Sequence, residues 1–166
     1  MNRNLLVAAL LVGFVALAVP IIGSAQPAPG AQSAPSAIYL PGLGDLMTMT
    51  VQPRHIKLAL AGREKNWTYA KYELHELEES FERVVRVRPK YRGAAIDAMM
   101  EAITKAPMAA VSQAIANQDA VQFTSAYGQL TDGCNACHQA ANVGFVVIKV
   151  PDAASFPDQD FRLPKP

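Results

Sequence analysis

Cys134-Asn135-Ala136-Cys137-His138 is the one constellation in the chain with a spacing that could do chemistry. On a helix, residues three and four apart share a face. Two thiols at i and i+3, with an imidazole at i+4, therefore project together. Cys-x-x-Cys-His is the signature of covalent c-type haem attachment: the thiols bond to the two vinyl groups and the imidazole supplies the axial iron ligand. Three other chemistries use some of the same residues. A thioredoxin-like dithiol wants a β-α-β context. A zinc site would need four ligands drawn from two Cys and three His, with no second Cys-x-x-Cys to help. A plain Cys134–Cys137 disulfide would staple one helical turn and constrain little.

The elements that must carry this motif read as helices from about Leu43 to about Ala140. The first spans about Asp45 to Ala61, with Leu46, Met49, Pro53, Ile56 and Leu60 on one face and Gly62 as its stop. An interior proline costs about 3 kcal/mol, so Pro53 predicts either a kink or a helix that starts there. The second carries Trp67, Ala70, Leu74, Leu77, Phe81 and Val84 inward, with Glu73, Glu76, Glu79 and Arg83 outside that stripe, and Pro89 ends it. The third places Ile96, Met99, Met100, Ile103, Val111 and Ile115 inward, with a kink at Pro107. The fourth opens on Asp119 with Gln122 three residues on, a capping-box pattern, and its stripe is Phe123, Tyr127, Leu130, Cys134 and Cys137. Little strand signal precedes residue 143. The expected fold is all-α, an up-down-up-down bundle of four helices followed by an irregular C-terminal extension.

Composition agrees with one domain and narrows its partners. The chain has 166 residues, 51% hydrophobic and 17% charged, which excludes a disordered polyelectrolyte. Fifteen Lys and Arg against fourteen Asp and Glu give a net charge of +1 and no reason to expect nucleic acid. The apolar excess is concentrated in residues 1–25. Arg3 carries the only charge there, Leu5–Ile22 is an uninterrupted apolar run, and Gly23-Ser24-Ala25 offers small residues for cleavage before Gln26. Residues 1–25 thus read as an export signal, with an uncleaved anchor as the alternative. The mature chain is expected in the periplasm, an oxidising compartment, without stable membrane insertion. Residues 26–42, small and Pro-rich at first, read as a flexible leader. Residues 43–141 form the helical bundle and 142–166 an extended tail.

Antiparallel threading brings the end of the fourth helix beside the start of the first and the junction of the second and third. Met47 and Met49 lie at that start, about 160° apart on an ideal helix. Met49 shares the stripe of Leu46 and is the expected sixth iron ligand, with Met47, His55 or none as alternatives. His75 falls on the polar face of the second helix. Arg83, Arg86, Arg88, Lys90 and Arg92 crowd the junction, suited to propionates or an acidic redox partner, or simply to a solvated helix end. Trp67 and Tyr127 fit the core. Gly144–Val150 is an apolar, β-branched run expected to pack along its own bundle, with a role covering the haem or pairing with a partner as the alternative.

Four helices with Cys-x-x-Cys-His near the end of the last resemble the cytochrome c-prime family and its low-spin relatives, over roughly residues 43–140. The resemblance implies thioether bonds at Cys134 and Cys137, His138 as fifth ligand, and Met47 or Met49 in the distal region. It departs from the family in two respects. His138 is followed by Gln139-Ala140-Ala141-Asn142 with no basic residue, and the chain then continues for 24 more residues. The expected function is electron transfer by one covalently bound haem c, with redox proteins as partners and a homodimer as one state of assembly. The alternatives are a five-coordinate binder of a small gas and a thiol-disulfide oxidoreductase. No acid-base pair or activated nucleophile is visible, so no enzymatic reaction is assigned.

Overall fold

The computed structural model describes residues 39–153 and 155–164. The expected signal at 1–25 and residues 26–38 of the expected leader lie outside them. Among the described residues the architecture is predominantly helical. Helix α1 (Leu43–Leu46), a π-helical turn (Met47–Val51) and α2 (Gln52–Arg63) run on as one rod, followed by α3 (Trp67–Val87), α4 (Ile96–Ala116) and α5 (Ala120–Ala140). Helix α2 packs on α3, α3 on α4, α4 on α5, and α5 back on α2. Leu58, Leu77, Val84, Val111, Tyr127 and Leu130 fill the space between them. No described helix is long and apolar enough to cross a membrane.

Of the two outcomes expected at Pro53, the structure matches the second to within a residue, a helix that starts there: α2 begins at Gln52 after a separate turn. The proline sits in the first turn of α2, and the wider turn before it closes with the Gln52 N–H donating to the Met47 carbonyl. One extra residue enters the rod this way, and the inward stripe changes phase. Leu46 and Val51, five apart, are both buried, and His55, Leu58 and Gly62 continue that line. The expected stripe through Met49, Pro53 and Ile56 is displaced accordingly. Gly62 does not stop the helix either. It is buried inside α2, where a Cβ would lie 2.1 Å from the Phe123 ring, and the left-handed residue after the helix is Lys65, at φ 55°.

Two helices are capped by side chains, one of them, at Asp119, where the pattern suggested. Asn66 Oδ1 accepts from the Tyr69 N–H at the start of α3. Asp119 Oδ1 accepts from the Val121 and Gln122 N–H groups at the start of α5. The Gln122 side chain completes no box, because its Oε1 accepts from Asn117 instead. Between α3 and α4 lies a hairpin that the sequence did not announce. Its strands β1 (Lys90–Tyr91) and β2 (Ala94–Ala95) are antiparallel, with Tyr91 opposite Ala94 and Gly93 at φ 88° in the turn.

Glu73 was expected outside the core stripe of α3 and is in fact 1% exposed. Its carboxylate is reached from α2 by Arg54, at 3.4 Å, which also pairs with Glu76 at 3.1 Å. Burial of a carboxylate is tolerable only with such a partner. His75 lies on the surface and pairs with Glu79.

The chain on either side of the helices is tied to them. Arg88 donates to the Leu40 and Pro41 carbonyls, holding the end of the expected leader. At the other end, Phe161 is buried and stacks on Tyr69, and Asn66 Nδ2 donates to the Phe161 carbonyl.

Candidate functional site

Helix α5 carries the motif through its last two turns before ending at Ala140, so Cys134, Cys137 and His138 sit at the helical spacing expected of them. All three line one apolar cavity with about 710 Å³ of atom-free space, part of it open to solvent. Opposite them stand Met47 and Val51 from the first rod, Phe81 from α3 and Met100 from α4. A second hollow adjoins it and shares Met47, Cys137, His138 and Val146. Leu43, Tyr91 and Ile96 close its far side. The start of the first rod, the α3–α4 junction and the end of α5 therefore meet where chain direction said they should.

The thiols are free and lie within the protein wall. Burial pushes the Cys134 thiol up to about 11, and burial likewise raises Cys137. Both are thus held as thiols at neutral pH. A disulfide-exchange site wants the opposite, a thiol lowered toward ambient pH.

His138 is fixed by a segment beyond its own helix. Its Nδ1 donates to the Val146 carbonyl at 2.6 Å. A neutral imidazole that donates through Nδ1 keeps its lone pair on Nε2. That is the protonation pattern of a histidine prepared to ligate a metal, with the other nitrogen hydrogen-bonded in the outer shell. Val146 belongs to the strap Val143–Val150, whose Val146 and Ile148 side chains line the cavity. Asn135, inside the motif, grips the strap twice. Its Nδ2 donates to the Ile148 carbonyl at 2.8 Å and its Oδ1 accepts from the Ile148 N–H at 2.8 Å. The strap thus packs on its own bundle as expected, but it also supplies a site group that sequence reasoning missed. The signal available was an amide side chain inside the motif and an apolar run a few residues downstream, neither of which identifies its partner.

Of the three candidates for the sixth ligand, the structure brings only one to the cavity with a free donor. Met49 is 74% exposed and absent from the wall. Met47 takes the inward position instead. Met49 is therefore not brought together with Cys134, Cys137 and His138. His55 does reach the cavity, but both its nitrogens are engaged. Nδ1 lies 2.9 Å from the Tyr127 hydroxyl and Nε2 lies 3.1 Å from Thr131 Oγ1. Tyr127 also donates to the His55 carbonyl at 2.8 Å. Burial lowers His55 to about 4, so it is a neutral core histidine. Among the described residues, no three His, Cys, Asp or Glu side chains cluster to hold a metal ion by themselves.

Comparison with known proteins found no matching family model, no matching curated protein and no matching solved structure.

Proposed function

We propose that this chain is an exported, periplasmic c-type cytochrome that carries electrons between partner proteins through one covalently held haem. One observation carries the reading. Cys134, Cys137 and His138 face a single apolar cavity from consecutive turns of α5, and the His138 Nδ1 is already committed to the Val146 carbonyl. The residues present fit the group: two thiols for thioether bonds, one imidazole nitrogen for iron, and walls that are mainly apolar, with Thr48, Gln52 and Thr104 among them. Bound there, the haem supplies one-electron redox chemistry.

The chain does the rest. Cys134 and Cys137 would hold the group against loss, and His138 would orient it. Met47, Val51, Phe81 and Met100, which share the cavity, would limit water around it, which disfavours the more highly charged oxidised state. The order in which the helices pack supports the up-down-up-down four-helix bundle of cytochrome c-prime and its low-spin relatives. Redox proteins are the proposed partners. The exposed Lys90 and Arg92 flank Tyr91, which lines the second hollow, and would offer charge to an acidic partner.

A second reading, a five-coordinate binder of a small gas, is favoured by one feature. With Met49 outside and His55 engaged, Met47 is the last of the expected sixth ligands at the cavity. The test is the visible spectrum of the full chain, exported in a host able to mature c-type cytochromes, together with a haem-stained denaturing gel. Covalent haem with a low-spin spectrum is expected. A high-spin spectrum with rapid carbon monoxide binding would establish the second reading, and colourless protein would end both.

A further inference from the structure

The strap Val143–Val150 is not held in place by burial of its most apolar side chains. Phe145 is 83% exposed and Val147 73% exposed. Val146, itself 44% exposed, and Ile148 border a cavity rather than a filled core, and Val143 lines the adjoining hollow. Backbone hydrogen bonds define its path. As the chain leaves α5, the Val143 N–H donates to the His138 carbonyl and the Val146 N–H donates to the Val143 carbonyl. Beyond the His138–Val146 bond itself, the group among the described residues that grips the strap backbone from the helices is Asn135, which binds both polar atoms of Ile148 at 2.8 Å. A carboxamide that donates to the carbonyl and accepts from the N–H of one residue fixes both its height and its rotation, as a neighbouring strand would. The Val146 carbonyl lies between these two anchors, two residues from the clamp.

We propose that Asn135 is a positioning residue for His138. By gripping Ile148 it holds the Val146 carbonyl against the His138 Nδ1, and so sets which imidazole nitrogen carries the proton and how the ring is turned. The clamp exists whatever the cavity holds; its consequence for iron ligation rests on the haem reading above. An imidazole whose Nδ1–H is hydrogen-bonded is a more basic ligand and favours the oxidised metal. Loss of the bond therefore raises the reduction potential.

The experiment compares full-length wild type with Asn135→Ala, Asn135→Asp and the control Phe145→Ser. Three quantities are read: amide hydrogen exchange at Ile148, the ¹⁵N shifts of the His138 ring, and the midpoint potential. Asn135→Ala should speed exchange at Ile148 roughly tenfold, as expected for the loss of hydrogen bonds worth about 1.4 kcal/mol. It should also mix the two His138 tautomers in the haem-free chain and raise the potential of the haem-bound one. Asn135→Asp keeps the acceptor for the Ile148 N–H but sets a carboxylate against the Ile148 carbonyl. It should retain more exchange protection than Asn135→Ala, and its His138 ring shifts in the haem-free chain should fall between those of wild type and Asn135→Ala. Phe145→Ser should match wild type throughout. Fast exchange at Ile148 with unchanged ring shifts and potential would overturn the proposal, since Asn135 would then hold only the strap. Unchanged exchange in Asn135→Ala would overturn it too. If the protein carries no haem, the functional reading fails, and the His138 ring shifts of the haem-free chain still decide the clamp.

Discussion

Met47 and Met49 lie two residues apart on the same rod and end on opposite sides of it. One lines the cavity facing Cys137 and His138, while the other is 74% exposed. The expected consequence is spectroscopic. Met47→Ala should abolish a methionine-to-iron charge-transfer band in the oxidised protein, and Met49→Ala should leave it unchanged. The opposite pattern would mean that the rod rotates when haem is bound. His55 makes a prediction of another kind. Burial lowers it from its ordinary 6.5 to about 4, so the folded chain binds this proton less readily than the unfolded chain. Its contribution to stability is complete above pH 6.5 and is lost as pH falls toward 4, reaching about 3 kcal/mol by then. Urea midpoints measured from pH 7.5 to pH 4 should therefore fall more steeply in wild type than in His55→Leu. Parallel curves would show that His55 does not titrate in that window.

Close approach between helices depends on two glycines that no periodicity singles out. Gly62 on α2 lies under the Phe123 ring, and that ring is held in turn by Trp67 and Tyr127. Gly133 on α5 faces the Ile103 carbonyl of α4, the one that Pro107 leaves without its helical donor. An added methyl at Gly62 would meet a ring with little room to retreat. Gly62→Ala should therefore cost about 2–3 kcal/mol. Gly128→Ala, on α5 with nothing within 4 Å of its Cβ, should instead stabilise by about 0.5–1 kcal/mol. Thermal melts of the two variants test the contrast directly. Equal effects would mean that α2 and α5 are not in contact at Gly62.

For the molecule as a whole, a cavity of this size beside the core leaves apolar walls without a protein partner. Met47, Val51, Phe81 and Met100 all face it. A group bound there only in the folded state adds its binding free energy to folding, and covalent attachment prevents its loss. The double variant Cys134→Ala with Cys137→Ala should consequently melt at lower temperature and show less helix by circular dichroism. Unchanged melting and helicity would mean that nothing bound at Cys134 and Cys137 contributes to the core. The rod of α1, the π-helical turn and α2 is the element expected to loosen first, because it forms the wall opposite His138.

The sequence by itself determined the helices and the motif, because both are local. A stripe such as Ala70, Leu74, Leu77, Phe81 and Val84 declares its face through helical period alone. Cys134, Cys137 and His138 share a face wherever the helix carrying them is placed. Chain direction added which ends meet. Tertiary structure alone decided what lies opposite and around the motif. The first rod packs with His55, Leu58 and Gly62 inward, and that face, chosen by its neighbours, places Met47 and not Met49 at the cavity. Glu73 is buried because Arg54 reaches it from another helix. His55 is a core residue because Tyr127 and Thr131, more than seventy positions away, take both of its nitrogens. The hydrogen bond that orients His138 comes from Val146 in a strap whose composition suggested only packing. Each of these is a pairing between groups distant in sequence, and periodicity carries no information about which distant partner a side chain will find.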